Sequence, residues 1–195
     1  MKKILRTAAL AAPIAGSVVL AAGVLCYLAG ARVNTSKSIP VGLYWTSDRP
    51  VERGAYVVLC PPQVGVVAEA LRRDYLPAGF CPGGYGFMMK KVAALKEDVV
   101  DISDAGVAVN GALLPLSAPL QQDAAGRPMP RYQATHFVIG NSEVLLMSDV
   151  SSTSFDGRYI GPVNRAQIEA VIVPVLVRHD ERPPHPPPAR PAQHH

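Results

Sequence analysis

The chain has 195 residues, 49% of them hydrophobic, and a formal net charge of +4, which allows one core of ordinary size once a membrane segment is set aside. Lys2, Lys3 and Arg6 stand together at the N-terminus and the remainder is close to neutral. No arginine-rich stripe with interleaved aromatics is present, so nucleic acid is set aside as a partner.

From Thr7 to Ala31 about 25 residues run without a charge, enough for a helix to cross roughly 30 Å of hydrocarbon. The basic residues before this run predict a cytoplasmic N-terminus, which places everything after Arg32 on the outer side, in a bacterium the periplasm. The competing reading is a cleavable signal peptide, since Leu28-Ala29-Gly30-Ala31 offers small residues for a cut, although a signal h-region spans only about 7 to 15 residues. The expected organisation is an anchor (or signal) over 1–32, one domain over 33–178, and a Pro-rich tail with His185, His194 and His195 over 179–195 that is too poor in apolar residues to order.

A polar bridge, Asn34 to Lys37, leads to a turn at Ser38-Ile39-Pro40-Val41-Gly42 and a short strand over Leu43 to Thr46. Ala55 to Cys60 predicts a buried strand stopped by Pro61-Pro62, and Val64 to Arg73 has the helical spacing. After a turn at Gly83 to Gly86, the segment Phe87 to Leu95 fits strand or helix by periodicity, and strand is favoured. Val99 to Ile102 and Val107 to Val109 predict paired strands, and Asn110-Gly111 supplies the left-handed turn onto Ala112-Leu113-Leu114. Ser117 to Tyr132 reads as a long loop. Strands resume at His136 to Gly140, Val144 to Met147, and Ile168 to Val177, the last a strand or two interrupted by Pro174. The fold expected is mainly β.

Cys26 lies in the apolar run, whereas Cys60 and Cys81 lie in the exported part. Bridged, they close a loop of about 20 residues worth about 3 kcal/mol in an oxidising compartment; the alternative is two free thiols. Their spacing does not suit zinc, and no cofactor is expected.

Three segments hold groups able to do chemistry. Asn34-Thr35-Ser36-Lys37-Ser38-Ile39-Pro40 offers hydroxyls; alone it is a linker beside the membrane. Met88-Met89-Lys90-Lys91-Val92 sets a lysine pair in an apolar stretch, and on a strand the two point to opposite faces, so one is directed inward. A desolvated ammonium loses its proton more readily, which makes a lysine a base near neutral pH. Ser148-Asp149-Val150 followed by Ser154-Phe155-Asp156-Gly157-Arg158 is a polar loop rich in turn-formers.

In this order, the three segments resemble the Ser/Lys signal peptidase family, and within it the conjugal-transfer, TraF-type branch that matures plasmid pilin precursors. The resemblance runs from the anchor to about Val163 and implies a signal-peptidase-like β-barrel or sandwich with one N-terminal transmembrane helix and one or two short helices. It makes Ser38 the nucleophile, with Ile39 where leader peptidases carry Met. Lys90 matches the first residue of the family's basic pair and is implied as the base. Lys96-Glu97 replaces the family's Pro-Gly ahead of Asp98, and Ser148 and Val150 depart from its Gly-Asp-Asn around Asp149.

The resemblance further implies that the Ser38 N–H and the Ser36 hydroxyl hold the oxyanion and that Ser154 orients Lys90. Asp156 would pair with Arg158 to fix the loop, and an Asp in this area is also a catalytic candidate. The implied activity is serine endoproteolysis of an exported polypeptide, a conjugative pilin precursor, at the membrane and beside the conjugation machinery; a ring-closing step is an alternative to hydrolysis. Two other readings stand: a general leader peptidase, and a non-catalytic anchored component of a pilus or secretion assembly. Tyr44 and Trp45 are candidates for contact with lipid headgroups, and Phe87, Met88, Met89 and Met147 for a substrate groove.

Overall fold

The computed structural model describes residues 2–178, with side chains from Pro13 onward; the tail read over 179–195 lies outside the described residues. Helix α1 (Lys2–Leu28) covers most of the apolar run, and its apolar side chains beyond Pro13, Val19 and Leu28 among them, are exposed. Among the described residues no helix is long and apolar enough to cross a membrane.

Beyond α1 the chain is mainly β, as expected. In order come β1 (Ala31–Asn34), β2 (Val41–Ser47), β3 (Tyr56–Leu59), α2 (Gly65–Arg72), β4 (Ala78–Cys81), β5 (Met88–Ala94), β6 (Val99–Ser103) and β7 (Gly106–Val109). They are followed by β8 (Ala112–Leu113), β9 (Ala134–Val138), β10 (Glu143–Met147), the short helix α3 (Gly157–Ile160), β11 (Val163–Asn164) and β12 (Ile168–Arg178). The larger sheet runs β1-β2-β12-β3-β5-β10-β11 and the smaller β8-β7-β6-β9.

Period-two alternation explains the central strand. Along β5, Met88, Lys90, Val92 and Ala94 are buried and the residues between them are half-buried; that face meets the main core of Val57, Leu59, Val67, Leu146 and Tyr159. A second core fills the space between the smaller sheet and the ends of β5 and β10, with Val100, Ile102, Val107 and Leu145. A third, small cluster joins Ile39, Tyr44, Val58 and Ile172. The hairpin turn at Asn110-Gly111 has φ of 51° and 80°, the left-handed pair that a two-residue connection needs, and β7 pairs with β8 across it.

Three sequence expectations are corrected. Tyr44 is fully buried and its hydroxyl donates to the Pro40 carbonyl at 2.6 Å, so it is a core residue and not a headgroup contact. Pro174 does not break the last strand: β12 is continuous, pairing with β2 on one side and β3 on the other. The register instead shifts between Pro174 and Leu176, because an irregularity absorbs the missing N–H. The polar bridge is shorter than read, since Asn34 closes β1, which pairs with β2 from Ala31↔Trp45 to Asn34↔Gly42.

The disulfide reading holds. Cys60 and Cys81 are bridged, tying the end of β3 to β4 and enclosing α2.

Candidate active site

The nucleophile segment is a turn hung between two anchors. On one side Asn34 ends β1 and is buried; on the other Ile39 is fully buried beside Tyr44, Val58 and Ile172. Ser38 sits between them, half-buried. Pro40 restricts the residue before it to extended backbone, and the chain then enters β2.

The second element is β5. Its alternation directs Lys90 to the core face, where it is 3% exposed, and Lys91 to the opposite face. Lys90 Nζ lies 2.7 Å from Ser38 Oγ and 2.8 Å from Ser154 Oγ, and the two hydroxyl oxygens are 3.3 Å apart. Burial pushes the Lys90 ammonium down to about 8; Asp156 opposes that fall and Arg158 adds to it. A lysine so placed is partly neutral near physiological pH and able to take a proton.

The third element is the loop between β10 and α3. Asp156 and Arg158 are both fully buried and joined by bonds from Nε at 2.8 Å and from an Nη at 3.0 Å. Arg158 also donates to the carbonyls of Leu116 and Ser152 at 2.8 and 2.9 Å, so its charge is distributed over several acceptors. Asp156 further accepts the Ser148 N–H at 2.9 Å, which draws the two ends of the loop together and sets Ser154 against Lys90. Gly157 is required here, because a Cβ would lie 2.8 Å from the Leu146 carbonyl oxygen.

The remaining expected residues fall at varying distance from this centre. Ser36 Oγ accepts the Ser38 N–H at 3.4 Å. Asp149 makes no hydrogen bond with Ser38 or Lys90; it accepts from the Tyr56 hydroxyl at 2.8 Å and from Lys91 Nζ at 3.0 Å, pinning the same loop to β3 and β5. Burial, then that bond and charge, push the Tyr56 hydroxyl well above its ordinary range. Asp156 touches neither Ser38 nor Lys90 by a hydrogen bond; its charge acts on Lys90.

The departures from the family pattern are accommodated locally. Glu97 takes φ of 72°, the conformation glycine adopts freely, and its N–H donates to the Ile139 carbonyl at 3.0 Å. Asp98 closes that turn by accepting the Leu95 N–H at 2.8 Å. Ser148 needs no glycine: its hydroxyl accepts the Ser151 N–H at 3.0 Å and the Val150 N–H at 3.3 Å, capping the turn.

A cavity of about 680 Å³ opens onto Ser38 and Lys90. Its walls come from β1 (Val33), from Trp45, Leu76, Pro77 and Phe87, and from Tyr27 of α1. Of the groove candidates, Phe87, Met88 and Met89 line it, whereas Met147 packs in the second core. Asn34, buried directly before Thr35-Ser36-Lys37-Ser38, is not among the residues expected of the site.

Residues 2–176 match the family described as signal peptidase, peptidase S26. A plasmid transfer protein TraF of Escherichia coli is 64% identical over 178 residues, 90% of this chain and 99% of that protein. A probable conjugal transfer protein TraF of Sinorhizobium fredii is 37% identical over 154 residues, 77% of this chain and 79% of that protein. A signal peptidase I structure from Enterococcus faecalis superposes with a TM-score of 0.39 at 17% identity, over 65% of this chain and all of that one. The match supports a serine peptidase of the cell envelope, with an exported polypeptide as substrate in a conjugation setting. This chain belongs to the signal peptidase family S26 and, within it, to the TraF type.

Proposed function

We propose that the chain is a membrane-anchored serine endopeptidase whose Ser38 and Lys90 mature an exported conjugative pilin precursor on the periplasmic side of the inner membrane. The observation that carries it is the contact of 2.7 Å between Lys90 Nζ and Ser38 Oγ, with Lys90 buried and its ammonium lowered to about 8. A scaffold gains nothing from a buried ammonium at a serine hydroxyl, since that burial is unfavourable. The anchor rests on the uncharged run from Thr7 to Ala31.

In the proposed reaction the neutral Lys90 amine takes the Ser38 proton as Ser38 Oγ bonds to the scissile carbonyl carbon. The resulting oxyanion receives the Ser38 N–H and the Ser36 O–H, interactions that typically contribute about 3 kcal/mol each to the barrier. Collapse breaks the C–N bond, and Lys90 returns its proton to the leaving amine. Water then attacks the acyl ester, with Lys90 again as base. If a peptide amine attacks in place of water, the product is a ring. Asp156 and Arg158 hold the loop that presents Ser154, and Ser154 fixes the Lys90 amine.

The names of the relatives favour this reading over a general leader peptidase. Purified full-length chain is incubated with a conjugative pilin precursor and the product is weighed. Cleavage is expected; a mature product lighter by one water than the linear peptide reports cyclisation, and an intact precursor overturns the assignment of substrate.

A further inference from the structure

Asn34 is 4% exposed, and every polar atom of its side chain is engaged with the segment that carries Ser38. Its Nδ2 donates to the carbonyls of Ser36 at 2.9 Å, Ile39 at 2.9 Å and Pro40 at 3.1 Å. Its Oδ1 accepts the Ser36 N–H at 3.1 Å and the Ser36 hydroxyl at 2.8 Å. The amide can stand only one way round, because carbonyls face one end and donors the other. Ser36 Oγ, having given its proton to Asn34, accepts the Ser38 N–H at 3.4 Å. Both groups that would hold an oxyanion are therefore occupied within the protein.

We propose that Asn34 is the positioning residue of the oxyanion site, holding the Ser36 hydroxyl proton on its Oδ1 until the developing oxyanion takes it. The inference rests on the Ser38 and Lys90 reading. A neutral substrate carbonyl is no better an acceptor than the Asn34 amide carbonyl, so it gives Ser36 little reason to turn. An oxyanion accepts a charge-assisted bond roughly twice as strong. The donor is thus withheld from the ground state and delivered to the transition state, which is the kind of binding that raises kcat. The exchange needs rotation of the Ser36 side chain away from Asn34, which also releases the Ser38 N–H. Asn34 keeps the Ser36 N–H and its carbonyl partners, so the turn carrying Ser38 stays in place while the proton moves.

Asn34→Asp tests this, since a carboxylate keeps the acceptor and holds the Ser36 proton more tightly, although it gives up the three Nδ2 donations, so its folding is first checked by circular dichroism. Steady-state processing of a pilin precursor is measured for the full-length chain, for N34D, for Ser36→Ala and for the double variant. The proposal expects N34D and Ser36→Ala each to lower kcat by about 100-fold with KM little changed. It expects N34D to add less than about threefold in the Ser36→Ala background, because residues acting through one another are not additive. Losses that multiply in the double variant, a loss confined to KM, or an unaffected kcat for either single variant overturns it. If N34D does not fold, Asn34→Ala, which frees the Ser36 hydroxyl for the ground-state carbonyl, is expected to lower kcat and KM together in the parent and neither in the Ser36→Ala background; equal effects in both overturn the proposal. Ser38→Ala separates the two levels: retained processing refutes the Ser38 reading, whereas an inactive Ser38→Ala with multiplicative losses refutes Asn34 alone.

Discussion

Lys90 Nζ is held between the Ser38 and Ser154 hydroxyls at 2.7 and 2.8 Å, and among the described residues no carboxylate shares a hydrogen bond with it. The amine is thus set by burial and two neutral partners, so its charge is the variable part of the site. Burial lowers it from 10.5 to about 8, and the neutral form is the base. The rate of precursor cleavage is expected to rise with pH and level off above about 8. A profile flat from pH 6 to about 9 contradicts this.

The same shift bears on stability. Below about 8 the folded protein carries the full cost of a buried ammonium; between about 8 and 10.5 the unfolded chain binds the additional proton, so this group makes stability rise with pH. Lys90→Met is expected to be more stable than the parent at pH 7 and to lose that advantage by about pH 10.5. Urea denaturation of both proteins across this range checks it.

Ser154 offers one hydroxyl to Lys90. Ser154→Ala is expected to lower kcat by about 10- to 100-fold with little effect on KM, the range for losing one hydrogen bond to a charged group. An unchanged kcat contradicts a role in orienting the amine.

Asp156 and Arg158 form a pair with no exposure on either side. Asp156→Leu leaves the guanidinium uncompensated and is expected to cost about 3–5 kcal/mol. Adding Arg158→Met to it should return part of that loss, read as the urea midpoint of each variant. A single variant as stable as the parent contradicts the account of the loop.

Much of this arrangement was legible in the sequence because it follows from short-range rules. Alternation along Met88–Ala94 required one lysine of the Lys90-Lys91 pair to point inward, the family resemblance named Lys90, and Asn110-Gly111 could close only one kind of hairpin. What escaped depends on partners far along the chain. Asn34 reads as a linker residue until β1 pairs with β2 and buries it. Tyr44 reads as an interfacial aromatic until Val58 and Ile172 cover it. Pro174 reads as a strand end because the irregularity that accommodates it exists only in the pairing with β2. Ser154 beside Lys90 and the Asp156–Arg158 pair were expected from the family resemblance alone, because local pattern carries no trace of burial at Arg158. The turn at Lys96-Glu97 is held by contacts at Ile139 and Leu95, which lets it survive without a glycine.

The most direct measurement compares precursor processing by the purified parent, Ser38→Ala and Lys90→Ala, each shown to be folded by circular dichroism. The account predicts cleavage by the parent alone, with both variants inactive and folded. Cleavage retained by either folded variant would contradict the pairing of Ser38 with Lys90.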